Sequence, residues 1–149
     1  MSANSEVVVR IADAEEVRAL RMAVLRPGFP VAASDYDERP DTRHIAAYAG
    51  GEVVGCASVF PSRYRDEPDA WQLRGMAVAA GRQGSGIGAK VLLGAIDVVR
   101  DAAAPLLWAH ARVTALGFYE RLGFAVVSEE YLHGPLELPH RTITLPLTT

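Results

Sequence analysis

The chain has one cysteine in 149 residues, Cys56, so no internal disulfide can staple it, and that usage fits a reducing, cytoplasmic setting. It also lacks any run approaching the ~20 apolar residues of a membrane span. Met1 to Glu6 are polar and carry no apolar stretch of the kind a secretory signal requires. Basic residues are not in excess: 15 Lys and Arg stand against 18 Asp and Glu, the net charge is -3, and no dense basic run occurs. Nucleic acid and acidic membrane are therefore excluded as main partners. Internal repeats and low-complexity segments are absent as well. With 50% hydrophobic residues, the expectation is a single domain over 1–149 with a sizeable core.

The most informative stretch runs from Trp71 to Ala103. Leu73, Met76 and Val78 belong to an apolar run that reads as a strand, and Ile87, Val91, Ala95, Val98 and Val99 recur at helical spacing to about Arg100. Between them lies Arg82-Gln83-Gly84-Ser85-Gly86-Ile87-Gly88-Ala89. Strand, glycine-rich turn and helix in this order leave successive N–H groups uncovered at the positive end of a helix dipole, which is a seat for a phosphate or pyrophosphate. A P-loop is excluded, because Lys90 is followed by Val91 and not by Ser or Thr. Gly84, Gly86 and Ala89 satisfy the dinucleotide spacing, and Arg112 at the end of the next strand candidate suits a 2′-phosphate, so a small NADP-dependent oxidoreductase stays open. A plain tight turn into a helix is the remaining reading.

Around this stretch the chain divides readily. Val7 to Ile11 reads as a strand; Asp13 caps a helix with Glu16 in reciprocal position, and that helix ends near Leu25 before Pro27, Gly28 and Pro30. Arg26 to Thr42 reads as a solvated loop with one short helical turn. His44 to Ala49 and Glu52 to Phe60 flank Gly50-Gly51 as a hairpin, which argues against a purely parallel sheet. Cys56 lies in the second hairpin strand as a small core residue or, with partners the sequence does not place, an acyl-carrying nucleophile. Leu106 to His110 is a strand reached by a right-handed crossover. Thr114 caps a helix over Ala115 to Leu122, Gly123 ends it, Phe124 to Ser128 is a strand, and Arg141 to Leu147 is the last strand. Gly117 in that helix serves close packing or makes room for a ligand. Phe118 and Leu122 read as core. His133 and His140 are zinc ligands by residue type alone, without supporting spacing.

Gln83-Gly84-Ser85-Gly86-Ile87-Gly88 resembles the Gln/Arg-x-x-Gly-x-Gly/Ala signature of the GNAT superfamily of acetyl-CoA-dependent N-acyltransferases. Arg74-Gly75-Met76-Ala77-Val78 resembles the strand that enters that loop, and Phe118-Tyr119-Glu120-Arg121-Leu122-Gly123-Phe124 resembles the family's later helix-to-strand segment, so the likeness covers about Trp71 to Val127. Leu20 to Pro27, in the form Leu-Arg-x-x-Val-Leu-Arg-Pro, and Pro139-His140 resemble a poorly characterised subset of the superfamily.

The resemblance implies an α/β fold: a mixed, mostly antiparallel sheet of about six to seven strands, flanked by helices, with one parallel pair splayed to admit the cofactor's pantetheine arm. It implies acetyl-CoA as acyl donor, no metal, and an amine acceptor on a small molecule or peptide, attacked directly in a ternary complex. Cofactor contacts carried over are Met76, Ala77, Val78, Arg82, Gln83, Gly84, Ser85, Gly86, Ile87, Gly88, Ala89, Phe118 and Arg121. Among catalytic candidates, Tyr119 protonates the departing sulfur, N–H groups near Ala77 and Val78 at a strand bulge polarise the carbonyl, and the base is drawn from Glu38, Glu130, Glu137, His140 or water. Asp35, Asp37, Glu38 and Asp41, in the segment that walls the acceptor site in the family, are candidates for a cationic amine such as a polyamine, an aminoglycoside or a lysine-bearing peptide. An acyl-CoA-binding regulatory domain without turnover is the alternative, and a homodimer is the default assembly.

Overall fold

A computed structural model describes residues 6–25 and 35–147; the side chains of Asp35 and Glu38 lie outside the described set. The elements are β1 (Val8–Ala12), α1 (Ala14–Leu25), β2 (Arg43–Ala49), β3 (Glu52–Pro61), β4 (Trp71–Val78), α2 (Ile87–Asp101), β5 (Leu106–Arg112), α3 (Leu116–Arg121), β6 (Ala125–Val126), β7 (Tyr131–His133) and β8 (Leu138–Pro146). They form one eight-stranded sheet in the order β1-β2-β3-β4-β5-β8-β6, with β7 also on β8. Every pairing is antiparallel except β4 with β5. The GNAT-like sheet is therefore as expected in kind, with more strands than the expected six to seven. A single parallel pair does not make the doubly wound sheet of a dinucleotide enzyme. Among the described residues no helix is long and apolar enough to cross a membrane.

The two sheet faces are built by strand alternation. Ala46, Cys56 and Ala77 lie in one row across β2, β3 and β4 and pack with Val17 of α1. Their neighbours Ile45, Ala47 and Ala57 turn to the other face, against Val91, Leu92 and Ala95 of α2. At Gly55 a Cβ would come within 2.8 Å of Ile87 Cγ2, so glycine there sets how close α2 sits to β3. The Asp13 cap holds as read: Asp13 N–H donates to Glu16 Oε1 at 3.0 Å and Glu16 N–H to Asp13 Oδ1 at 2.9 Å. Cys56 is a core residue, 1% exposed, with burial pushing its thiol up to about 11.

Three local expectations need correction. Thr114 does not cap α3; it lies inside a 3-10 turn, Val113–Ala115, that carries the chain off β5, and α3 starts one residue later, at Leu116, without a side-chain cap. The strand after Gly123 is only Ala125–Val126, because Ser128 Oγ takes the Thr142 N–H at 2.7 Å in place of a ladder carbonyl. The acidic segment after α1 is not simply solvated. Its part within the described residues forms a 3-10 turn, Asp35–Glu38, in which Tyr36 is 2% exposed and the Asp37 carboxylate is buried. Arg21 grips that carboxylate with two bonds, Nη2 to Oδ2 at 2.6 Å and Nη1 to Oδ1 at 3.2 Å. Asp41 pairs with Arg39 at 3.3 Å. The remainder of the expected loop, 26–34, lies outside the described residues.

Removing one member of a buried ion pair strands the other. Asp37→Ala is expected to lower stability by about 3 kcal/mol, read as a shifted urea midpoint at unchanged slope, whereas an exposed carboxylate such as Glu67 should cost next to nothing when replaced by Ala.

Candidate functional site

Strands β4 and β5 are in register only at Trp71 with Leu107 and Gln72 with Trp108, and beyond those pairs they part. The gap opens into a cleft of about 1100 Å³, walled by β4, β5, the start of α2, α3 and the hairpin from β7 to β8. Ala79 N–H donates to Val54 O at 2.9 Å, which fixes the phase of the antiparallel ladder with β3. Alternate residues face β3, so Val78 turns its N–H and C=O to the opposite edge, which β5 has left. Gln83 Nε2 reaches that carbonyl at 3.2 Å. The β4 bulge lies earlier than expected, at Gly75 and Met76 opposite Ala57. It is the splay, and not the bulge, that frees the Val78 N–H, while Ala77 lies opposite Cys56 in the β3 ladder.

The glycine-rich turn closes one end of the cleft. Gly84 and Gly86 take φ of +83° and +86°, a region costly for other residues, and Gly86 is the N-cap of α2 with no side-chain bond to the first-turn N–H groups. Ser85 Oγ donates to Arg82 O and braces the turn from within. Of the expected cofactor contacts, Met76, Ala77, Val78 and Gln83 line the cleft from β4 and the turn, as do Gly84, Gly86, Gly88 and Ala89 from the helix start. Phe118 and Arg121 line it from α3. Arg82 and Ser85 belong to the turn without lining the cleft, and Ile87 is core, 4% exposed. A Cβ on Gly117 would meet only Arg121 Nη1, at 3.4 Å, so that glycine is not there for helix packing.

Tyr119 lines the cleft from α3 and is 7% exposed, its ring edge-on to Phe118 and Phe124 at 5.1 and 5.5 Å. Burial pushes its phenol up to about 12, so the side chain holds its proton at neutral pH. His140 lines the cleft from β8 and is 8% exposed. Its Nδ1 lies 2.7 Å from Leu138 O, and a carbonyl only accepts, so Nδ1 carries a proton and donates it there. Glu137 sits in the turn before β8, exposed, with its N–H on Gly134 O at 2.9 Å, and does not line the cleft. Glu130 is also exposed and outside the lining, and the Glu38 side chain is outside the described set.

The sequence reading missed the company His140 keeps. His110 of β5 stacks on His133 of β7 at 4.0 Å and 18°, and His133 meets His140 edge-on at 5.1 Å. Tyr131 OH ties the group to the sheet, 2.6 Å from His110 Nδ1 and 2.7 Å from Thr142 Oγ1. Burial, followed by the neighbouring histidines and Arg74, lowers His110 to about 4; burial first, then His140 and Arg74, lowers His133. The signal for His110 was present in the alternation along β5. Leu107, Ala109 and Ala111 are core, which places Trp108 and His110 together on the other face.

The acetyltransferase (GNAT) family profile matches residues 13–124 of the chain. The chain belongs to the GNAT acetyltransferase family. One relative of this acetyltransferase is the uncharacterised N-acetyltransferase YitI of Bacillus subtilis strain 168, 24% identical over 127 residues, which are 83% of this chain and 85% of that protein. Among solved structures, the GNAT chain shares its fold with the IAA acetyltransferase of Bacillus cereus ATCC 14579, at a TM-score of 0.79 and 20% identity over 95% of this chain and 100% of the other. It likewise shares the fold of an aminoglycoside 6′-N-acetyltransferase solved with coenzyme A, at 0.72 and 14% identity over 95% and 98%.

A pH dependence follows from the lowered histidines. His44, His110 and His133 all have folded values below the ordinary 6.5, with His110 near 4, so the unfolded acetyltransferase binds more protons in that window. Stability should be complete above pH 6.5 and fall as pH drops towards 4. Urea midpoints taken at half-unit pH steps check this, and a His110→Gln chain should show a shallower slope over the same range.

Proposed function

We propose that this chain is an acetyl-CoA-dependent N-acetyltransferase acting on a primary amine by direct attack in a ternary complex. The observation that carries the reading is the splayed β4 and β5 pair, with the uncapped glycine turn at one end and Tyr119 and His140 on the walls between.

The residues present suit such a cofactor. The first-turn N–H groups of α2, the backbone from Gln83 to Gly88, and the cations Arg112 and Arg121 on the neighbouring wall are matched to a pyrophosphate and further phosphate charge. Bound there, acetyl-CoA supplies a thioester whose carbon accepts the amine. Val78 N–H faces the gap and serves the carbonyl oxygen as a hydrogen-bond donor. His140 Nε2 takes the proton that the amine loses as its N–C bond forms. Tyr119 gives its proton to the sulfur as the C–S bond breaks, and burial keeps that proton in place until it is needed. Gln83 is a positioning residue, holding the turn to the end of β4 through Val78 O.

Calorimetric titration with acetyl-CoA, CoA and NADPH should give binding for the first two only; Gly86→Val, which puts a branched side chain at φ +86°, should weaken acetyl-CoA binding by at least about tenfold. Retained binding in that variant would remove the turn from the cofactor site. Tyr119→Phe is expected to lower turnover by about a hundredfold with CoA affinity unchanged, and wild-type turnover in thiol-release assays would take Tyr119 out of the chemistry.

A further inference from the structure

The cleft passes between the splayed strands, and its two mouths differ. On the side of α2 and α3 lie the glycine turn, Phe118, Tyr119 and Arg121. On the other side of the sheet, Val24 and Leu25 line it from α1, which packs over β4, and Pro135, Leu136 and Leu138 line it from the hairpin beyond β5. Two apolar walls thus stand on opposite sides of the gap. Leu136 keeps 41% of its surface exposed, so part of this wall is apolar surface left to water. Beside it, His110 and His133 line the cleft as stacked imidazole planes 4.0 Å apart. Burial, ahead of any other cause, lowers both, so the pair is uncharged at neutral pH. Arg74, at the same mouth, is engaged by other groups of the protein and is assigned no ligand.

What separates one amine acceptor from another at such walls is the body that carries the nitrogen. Each methylene removed from water against an apolar wall gains about fourfold in affinity. A polyamine or an aminoglycoside has ammonium or hydroxyl groups along its length, and burying these costs affinity unless each finds a partner. The side chains of Val24, Leu25, Pro135, Leu136 and Leu138 offer them no hydrogen bond. Resting on the acyltransferase reading above, we propose that the acceptor is a primary amine on an apolar body, alkyl or aryl-alkyl, held between Val24 and Leu25 on one side and Leu136 and Leu138 on the other. Leu138 and His140 share one face of β8 by alternation, so a body laid along Leu138 brings its nitrogen to His140. The apolar body therefore sets the position of the nitrogen as well as the affinity.

A graded acceptor series tests this with the full chain, each member followed by thiol release from acetyl-CoA: propylamine to hexylamine, phenethylamine, spermidine, kanamycin and diglycolamine. Diglycolamine has the heavy-atom count of hexylamine with two oxygens in its chain, and its amine is the less basic, so basicity alone favours it. From propylamine to hexylamine, kcat/KM should rise by about fourfold per methylene, and hexylamine should exceed diglycolamine by about tenfold or more. The rise should flatten in Leu136→Ser, at an exposed turn position, and in Val24→Thr, which keeps the side-chain shape on the opposite wall, with acetyl-CoA affinity unchanged in both. A flat series, or a preference for spermidine, kanamycin or diglycolamine, overturns the apolar assignment and leaves acyl transfer standing. Failure to bind acetyl-CoA overturns acyl transfer and this inference together. If no amine turns over, calorimetry of the CoA-loaded chain with hexylamine and diglycolamine decides: tighter hexylamine supports the proposal, and equal binding, or none, overturns it.

Discussion

Strands β4 and β5 share only two register pairs, and the cleft depends on how each strand is held after they separate. Backbone polar groups inside a protein need partners, so two strands part only where their outer neighbours hold them. Here β5 pairs with β8 along its whole length, from Leu106 with Pro146 to Arg112 with His140, and β4 stays on β3 to Val78. The separation leaves the inner edges of both strands facing the cleft, with Val78 O taken by Gln83. Gly88 sits at the point where the walls meet again, since a Cβ there would lie 3.4 Å from both Phe118 and Val78. A wedge open at one end and pinched at the other follows from these contacts, and it suits a long, narrow cofactor lying between strands.

The second constraint lies behind β4. Arg21 of α1 is 5% exposed, and an arginine at that depth requires an anion, which Asp37 supplies. Their junction packs on the β4 bulge: at Gly75 a Cβ would fall 3.0 Å from Arg21 Cδ and 2.9 Å from the Tyr36 hydroxyl. Gly75 itself has φ of +66°, so glycine there satisfies both the backbone conformation and the close approach. The helix, the acidic turn and the bulged strand are thus one packed unit, and the carboxylate that might have met a cationic substrate is spent on structure. Tyr36 carries the same unit across to Arg74 through its ring face. What looked in the sequence like a solvated, substrate-facing acidic loop is, at Tyr36 and Asp37, an anchor.

Much of the fold was legible because its signals are local. The Gly50-Gly51 hairpin, the Asp13 and Glu16 cap and the run from Trp71 through the glycine turn to Arg100 each specify their structure within about ten residues. The errors fall where a distant partner decides. Thr114 loses its capping role because the chain leaves β5 through a 3-10 turn, and the strand after Gly123 stops short because a Ser128 hydroxyl substitutes for backbone. Asp37 could not be assigned without knowing that Arg21 would be buried beneath it. In the cleft, the glycine turn and Tyr119 came from a contiguous motif. The grouping of His110, His133 and His140 did not, since it arises from three strands whose register no single segment encodes.

That grouping also bears on which proton chemistry the proposed site can perform. A histidine takes a proton only from a neutral state, and burial first, then the neighbouring histidines and Arg74, favours the neutral form of His110 and His133. The hydrogen bonds are not equivalent. His110 spends Nδ1 on Tyr131, whereas His140 donates Nδ1–H to a backbone carbonyl of its own strand. Register explains the difference. Thr142 pairs with His110 and His140 pairs with Tyr131, so the tyrosine hydroxyl reaches diagonally across β8 to His110, and the ring of His140 is anchored from its own strand. The same β8 alternation that puts Ile143 and Leu145 into the core turns His140 and Thr142 to the other face, where His110 and Tyr131 meet them.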